Sequence, residues 1–205
     1  MTLQPIVEGY GEVEALPLVL RRLQEVAESY HLKIGRPIRR KRAELVAEQQ
    51  VKRAVRLALG QPDCVGVLIV FDSDGDCPAE VGPQVQRWAQ NEAVEVPCQV
   101  VLTHHEFEAW FLGALESLRG VRRIFDTAVS VAEPEAIAGC KERLCDWMPT
   151  HQPYSPAVDQ AALANAFSLA AAHRTCRSFR KLVSAFGNLA SAAGAELQNW
   201  PPGSW

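Results

Sequence analysis

Cys64-Val65-Gly66-Val67-Leu68-Ile69-Val70-Phe71-Asp72-Ser73-Asp74-Gly75-Asp76 is the stretch that decides the fold. Its first part, Cys64 to Phe71, is apolar without alternation, which predicts a strand covered on both faces, as in a parallel sheet. Turn chemistry follows at once, and carboxylates stand at alternate positions 72, 74 and 76. Crowding like charges in this way is unfavourable unless a cation compensates them.

Working outward, Thr2 to Val7 is a strand candidate that ends at Glu8-Gly9. Val13, Leu16, Leu20, Leu23 and Ala27 then fall on one helical face, with Pro17 tolerable only near the helix start. Leu32 to Ile38 is a weak strand. Ala47, Val51, Ala54, Val55 and Ala58 align on a second helix that Gly60 stops. Beyond the central strand, a helix is expected over Glu80 to Asn91. A strand is expected over Val94 to Thr103, where Pro97 suggests an edge or a bulge. This alternation predicts an α/β fold with a mainly parallel sheet flanked by helices. Sites in such sheets lie outside the carboxyl ends of the strands, where both Glu8 and Asp72 fall.

The second half changes character. Helices are expected over Glu106 to Leu118, Glu133 to Trp147, Asp159 to Ala172 and Ser178 to Leu197, with a proline-rich loop from Met148 to Pro156. Residues 1–120 are therefore read as the α/β domain and 121–205 as a helical C-terminal extension packed on it. Trp110, Phe111, Phe167 and Phe179 are read as core residues.

Composition bounds the function. With 205 residues and 48% hydrophobic content, the chain can bury a sizeable core. No apolar run approaches the roughly 20 residues needed to span a bilayer, and Met1 to Pro5 carries no signal-like pattern, so a cytoplasmic, membrane-free setting is expected. The 6 cysteines form no C-x-x-C pair, so neither zinc nor a disulfide framework is expected. Net charge is −3, but Arg36, Arg39, Arg40, Lys41 and Arg42 form a basic run that can bind phosphates. Arg174, Arg177, Arg180 and Lys181 form another, facing nucleic acid or an acidic partner.

The acidic constellation has two parts. Val7-Glu8-Gly9-Tyr10-Gly11-Glu12 places one carboxylate at a strand end and another at a helix start, where the dipole favours it, with glycines allowing a tight turn. Asp72, Asp74 and Asp76 supply oxygen ligands suited to a hard cation, Mg²⁺, Mn²⁺ or Ca²⁺. An EF-hand fails, because Cys77 and Pro83 stand where glycine and glutamate are needed. No G-x-x-x-x-G-K stretch exists. An aspartyl-phosphate phosphatase would carry its nucleophile on the first strand, which here ends in Glu8.

V-E-G-x-G-E on the first strand, paired with D-x-D-x-D on a later one, resembles the TOPRIM domain. The form is similar to that of the OLD-type nucleases and their small stand-alone bacterial relatives, some encoded beside an AAA-type ATPase. Glu106-Phe107-Glu108-Ala109-Trp110-Phe111-Leu112 and Cys176-Arg177-Ser178-Phe179-Arg180 also resemble segments of that small family. The resemblance implies that Glu8 is a metal ligand or general acid/base and that Asp72 and Asp74 are metal ligands. It implies further that Glu12 helps hold a second metal and that Asp76 is an outer ligand. It implies one or two Mg²⁺ or Mn²⁺ ions, which about 3.5–4 Å apart can neutralise a phosphodiester, activate water and stabilise the leaving oxygen. Nucleic acid is the implied substrate, and an AAA-type ATPase the implied partner, in defence or DNA maintenance.

Thr103-His104-His105-Glu106-Phe107-Glu108 follows a strand end, so Glu106 and Glu108 are candidates for the rim of the same site. OLD-type enzymes use a lysine near the metals late in the domain, and the sequence places neither Lys141 nor Lys181 there. That departure keeps open a non-catalytic metal- or nucleic-acid-binding regulatory module, and a metal-dependent phosphatase. No topoisomerase tyrosine domain is present, and no Ser/His/Asp or Cys/His arrangement is evident.

Overall fold

The computed structural model describes all residues from Met1 to Trp205. Strands β1 (Thr2–Val7), β2 (Lys33–Ile34), β3 (Ile38–Arg39), β4 (Cys64–Asp72) and β5 (Cys98–Thr103) form one parallel sheet. Its order is β2-β1-β4-β5, with β3 also on β1. The strand expected over Leu32 to Ile38 is thus two short pieces along one edge. Pro37 has no N–H for a ladder. At Gly35, the side chain of buried Gln4 from β1 occupies the space, donating to the Arg36 carbonyl at 2.7 Å.

The apolar run of β4 divides by pleat. Leu68 and Val70 join one buried cluster, whereas Val67, Ile69 and Phe71 join another on the opposite face. The smaller cluster lies under α3 (Glu48–Leu59) and α4 (Pro78–Ala93), which follow the one-turn helix α2 (Arg42–Leu45). The larger lies under α1 (Tyr10–Val26) and the C-terminal helix α9 (Arg177–Ala192). Helix α1 runs through Pro17, well past its first turn, so the proline costs one backbone hydrogen bond without ending the helix. Strand β5 starts at Cys98, not Val94, because Val94 turns the chain with φ at +47° and Pro97 precedes the ladder. As Pro97 suggested, β5 is an edge strand.

Between β5 and α9 the chain is more broken than its composition suggests. The helices are α5 (Ala109–Gly113), α6 (Cys140–Cys145), α7 (Ala161–Ala166) and α8 (Leu169–Thr175), linked by turns and a single π-turn, Pro156–Gln160. The longer helices expected over Glu106–Leu118, Glu133–Trp147 and Asp159–Ala172 are each interrupted. Ala114 leaves the helical region after α5, Gly139 adopts φ +76° before α6, and Phe167 is extended between α7 and α8. Phe107, Trp110, Phe111, Phe167 and Phe179 are fully buried and meet mostly edge-on, with Phe107 tilted against Trp110. Leu3 and Val7 of β1 share their cluster with Phe179, Leu182, Phe186 and Leu189 of α9.

One core therefore spans residues on both sides of position 120. Expressed alone, residues 1–120 should show no cooperative thermal transition, because the sheet face beneath α9 would be bare. In the full chain, Phe179→Ala should lower stability by about 3–5 kcal/mol without splitting the transition, as checked by calorimetry and circular dichroism. An independently melting 1–120 fragment would contradict this.

Candidate functional site

Glu8 directly follows β1 and Asp72 ends β4, the neighbouring strand, so the parallel register delivers both to one edge of the sheet. Glu12, in the first turn of α1, folds back so that its carboxylate accepts from the Glu8 backbone N–H at 3.1 Å. Gly9 has an ordinary extended backbone, φ −85°, so no tight turn requires glycine there. Space does: a Cβ at Gly9 would lie 3.0 Å from the Glu12 carboxylate. At Gly11 a Cβ would lie 1.9 Å from the Gln160 side-chain oxygen and 2.8 Å from the Pro156 carbonyl. The two glycines let a carboxylate and the π-turn close in on the strand end.

The result is a recess of about 370 Å³ lined by Glu8, Glu12, Asp72, Glu108, Lys141 and Gln160, with Tyr10 at its rim. Asp72 is 8% exposed, Glu12 4% and Glu108 0%. One oxygen of Asp72 accepts from the Thr103 hydroxyl at 2.6 Å and the Phe107 N–H at 2.9 Å, so β5 and its following turn orient it. Glu108 accepts from the Tyr154 hydroxyl at 2.8 Å and Gln160 at 3.3 Å, while its other oxygen is buried without a hydrogen-bond partner. Glu8 likewise keeps one buried, unpartnered oxygen.

Lys141 enters from the first turn of α6. Its Nζ lies 2.8 Å from Glu106, 3.6 Å from Glu108 and 3.7 Å from Asp72. Glu106 also accepts from the Lys141 backbone N–H at 3.0 Å, which anchors α6 to the turn after β5. One ammonium therefore faces several carboxylates, and the charges are not balanced. Burial, with Asp72 and Asp74 nearby, pushes the Glu8 carboxyl up to about 7. Burial raises Glu108 to about 7 despite Lys141. Glu12 and Asp72 are also raised by burial, Asp72 against the pull of Thr103 and Lys141. Burial pushes Glu106 up too, but its hydrogen bonds from Lys141 outweigh this and hold it below its usual value. Burial pulls Lys141 down, and the surrounding carboxylates more than reverse that.

Asp74 and Asp76 lie outside this recess. Both are exposed, and Arg42 holds them, through Nε to Asp74 at 3.0 Å and through Nη2 to Asp76. Asp74 has φ +49°, and its carbonyl meets the His105 ring at 2.9 Å. Of the basic run, Arg39 lies against Tyr10 and Arg42 against the acidic turn, whereas Arg36 and Lys41 are exposed and Arg40 is half-buried. Arg174, Arg177, Arg180 and Lys181 are exposed around the start of α9, whose first N–H groups donate to Glu135. No three His, Cys, Asp or Glu side chains stand together as a ready-made metal shell.

The sequence reading missed Lys141, Tyr154 and Gln160. A signal for Lys141 was available: Lys181 falls on the polar face of amphipathic α9, which leaves Lys141 as the late lysine able to turn inward. Nothing local marks Tyr154 or Gln160, which lie in a proline-rich segment and a π-turn.

The family model described as "Domain of unknown function (DUF4276)" matches residues 7–186. The chain belongs to the DUF4276 family. The matched span runs from the end of β1 into α9, so this DUF4276 member carries every recess residue inside the family region. No curated protein matches the chain. Among solved structures, the C-terminal region of the Xanthomonas campestris pv. campestris OLD protein is similar to it at 16% identity and a TM-score of 0.46, covering 94% of this chain and 97% of that one.

Glu108 generates a pH prediction. Its carboxyl, at about 7 when folded against an ordinary 4.5, binds a proton more tightly in the folded state. Its contribution is therefore fully present below about 4.5 and lost as pH rises through about 7. A gap of this size is worth about 3 kcal/mol, or about 6–12 °C in Tm for a chain of this length. Metal-free wild type should lose thermal stability between pH 5 and pH 8, and Glu108→Gln should flatten that slope. Equal slopes in differential scanning calorimetry would contradict the assignment. Separately, Gly11→Ala should lower Tm by wedging α1 from the π-turn, at a cost of about 1–3 kcal/mol.

Proposed function

We propose that this DUF4276 protein is a Mg²⁺- or Mn²⁺-dependent, nuclease-like phosphodiester hydrolase of TOPRIM type. The observation that carries the reading is the convergence of Glu8, Glu12, Asp72 and Glu108 with Lys141 in one recess at the carboxyl ends of β1 and β4. The donors are all oxygens; Glu8 keeps a buried oxygen without a partner, and the second oxygen of Glu108 is answered only by Lys141 at 3.6 Å, with no hydrogen bond. Carboxylates whose proton affinity is raised by burial and mutual repulsion are the setting in which a hard dication replaces protons. Glu8, Glu12 and Asp72 would hold the ion, with Asp74 within reach from the rim once Arg42 releases it. The bound cation supplies neutralisation of phosphate charge and activation of water.

The chain's own residues supply the rest. Thr103 and the Phe107 N–H fix one Asp72 oxygen and leave the other toward the recess. Tyr154 and Gln160 fix Glu108, and Glu106, Glu108 and Asp72 hold the Lys141 ammonium where it can meet a phosphate oxygen. The basic run from Arg36 to Arg42 borders the same edge and suits a polyanionic substrate. The resemblance to OLD-type nucleases adds an AAA-type ATPase as partner and defence or DNA maintenance as the setting.

A second reading has one observation in its favour. Arg42 and Lys141 already compensate part of the acidic charge, and no three carboxylates form a finished metal shell. On that reading the recess binds metal or nucleic acid without cutting.

Calorimetric titration of Mn²⁺ should show binding to wild type that Asp72→Ala abolishes. The same samples should cleave circular single-stranded or supercoiled DNA only when Asp72 is intact, with Lys141→Met reducing the rate by about 10²-fold or more. Metal binding without cleavage would favour the second reading. Cleavage that survives both Asp72→Ala and Glu8→Ala would sink the first.

A further inference from the structure

The recess has an aromatic lip that the hydrolase reading does not use. Tyr10, the first residue of α1, is 75% exposed and lines the recess beside Glu8, Gly9 and Glu12. Arg39 orients its ring. The Arg39 guanidinium lies over it at 3.9 Å, donates to the Tyr10 hydroxyl at 3.2 Å and donates to the Glu8 carbonyl at 3.3 Å. An arginine on β3 thus clamps one face of the ring against the strand end, and the high exposure leaves the other face open to solvent. The other large aromatics of the same edge, Phe107 and Trp110, are fully buried and unavailable.

Two neighbouring features define what would lie on that open face. Arg36, Arg40 and Lys41, on the same edge segment as Arg39, make no ion pair and are available to phosphates. The acids are recessed: Asp72 and Glu12 are 8% and 4% exposed at the floor of the roughly 370 Å³ space. A phosphate must descend into that space. A flexible single strand can bend one in, whereas a duplex holds its phosphates on a rod far wider than the recess. Duplex base faces are also already covered by their stacked neighbours, while an unpaired base has a face to offer.

We propose that Tyr10, clamped by Arg39, is a stacking platform for an unpaired nucleobase adjoining the phosphate that enters the recess, so that the site takes single-stranded nucleic acid or a frayed end. The proposal rests on the phosphodiester reading of the recess and narrows its substrate class. Stacking of this kind tolerates any base sequence, because every base presents a π-face. Arg39 both orients the ring and adds positive charge beside the strand's backbone.

The test is fluorescence anisotropy with the full chain in Ca²⁺, an oxygen-ligated dication that offsets the recessed carboxylates, with cleavage read separately in Mn²⁺. The probes are a short fluorescein-labelled DNA strand, the RNA strand of the same sequence, the blunt DNA duplex, and a strand of abasic residues of equal length. Wild type should bind base-bearing strands more tightly than the duplex or the abasic strand. Tyr10→Ala should weaken binding to base-bearing strands by about tenfold, collapsing their advantage over the abasic strand, and Tyr10→Trp should restore it. The DNA and RNA arms identify which sugar backbone the site takes. A base-bearing to abasic ratio that Tyr10→Ala leaves unmoved, or a duplex bound as tightly as the strand, would overturn the proposal. Absence of Mn²⁺-dependent cleavage beside a Tyr10-dependent ratio would defeat the hydrolase reading alone, and intact cleavage beside an unmoved ratio would defeat the platform alone.

Discussion

The cost of burying several carboxylates at the carboxyl edge of two adjacent parallel strands is the constraint on which the rest of the structure depends. Glu12, Asp72 and Glu108 are nearly or wholly removed from water, and Glu8 stands beside them. A buried charge is tolerated only where hydrogen bonds or counter-charges answer it. The fold answers with donors drawn from remote parts of the chain: Thr103 from β5, the Phe107 N–H, Tyr154, Gln160 and above all Lys141. The Glu8 N–H serves Glu12 in the same way. These donors are insufficient, as the raised proton affinities of Glu8, Glu12, Asp72 and Glu108 show.

That demand explains why the C-terminal half is irregular. A long straight helix presents side chains along one stripe, whereas the recess needs single donors at several places around its wall. Short helices and turns deliver them. Gly139, with φ +76°, starts α6 so that Lys141 falls in its first turn. The π-turn before α7 carries Gln160 inward, and buried Asp159 fixes that turn by accepting from Ser155 N–H at 3.0 Å and pairing with Arg123 at 3.0 Å. Regularity is given up where the site requires it and kept where only packing matters, as in α9 against β4 and β5.

The same contrast separates what the sequence made legible from what it did not. The parallel sheet could be read because β4 is apolar on both faces and the period of α1, α3 and α9 is plain. Glu8, Glu12 and Asp72 could be read because strand ends and helix starts fix where such residues point. Asp74 and Asp76 share Asp72's spacing, yet they sit outside the recess, since the chain turns after Ser73 and Arg42 draws both outward. No local pattern encodes that capture of two of the three aspartates by an arginine distant in the sequence. Gly9 and Gly11 were legible as a pair, but their reason was not: they make room for Glu12 and for the π-turn rather than adopting special dihedrals. Lys141 can be reached only by eliminating Lys181, and Tyr154 not at all, because only the long-range fold brings positions 141 and 154 to a site built on 8 and 72.

Arg39 and Arg42 show how one short basic segment serves two ends. Arg42, half-buried over Phe71 at 5.3 Å, neutralises the acidic turn and tethers it. Arg39, three residues earlier, turns toward β1 and orients Tyr10. A pleated edge followed by a single helical turn gives these two guanidiniums different partners, Arg42 the D-x-D-x-D turn and Arg39 the Glu8 carbonyl and Tyr10 of α1. Weakening Arg42's hold would therefore free Asp74 and Asp76 to move toward the recess without disturbing the aromatic lip. The hold on the acidic turn and the orientation of Tyr10 are in this way separable in the same seven-residue segment, Arg36 to Arg42.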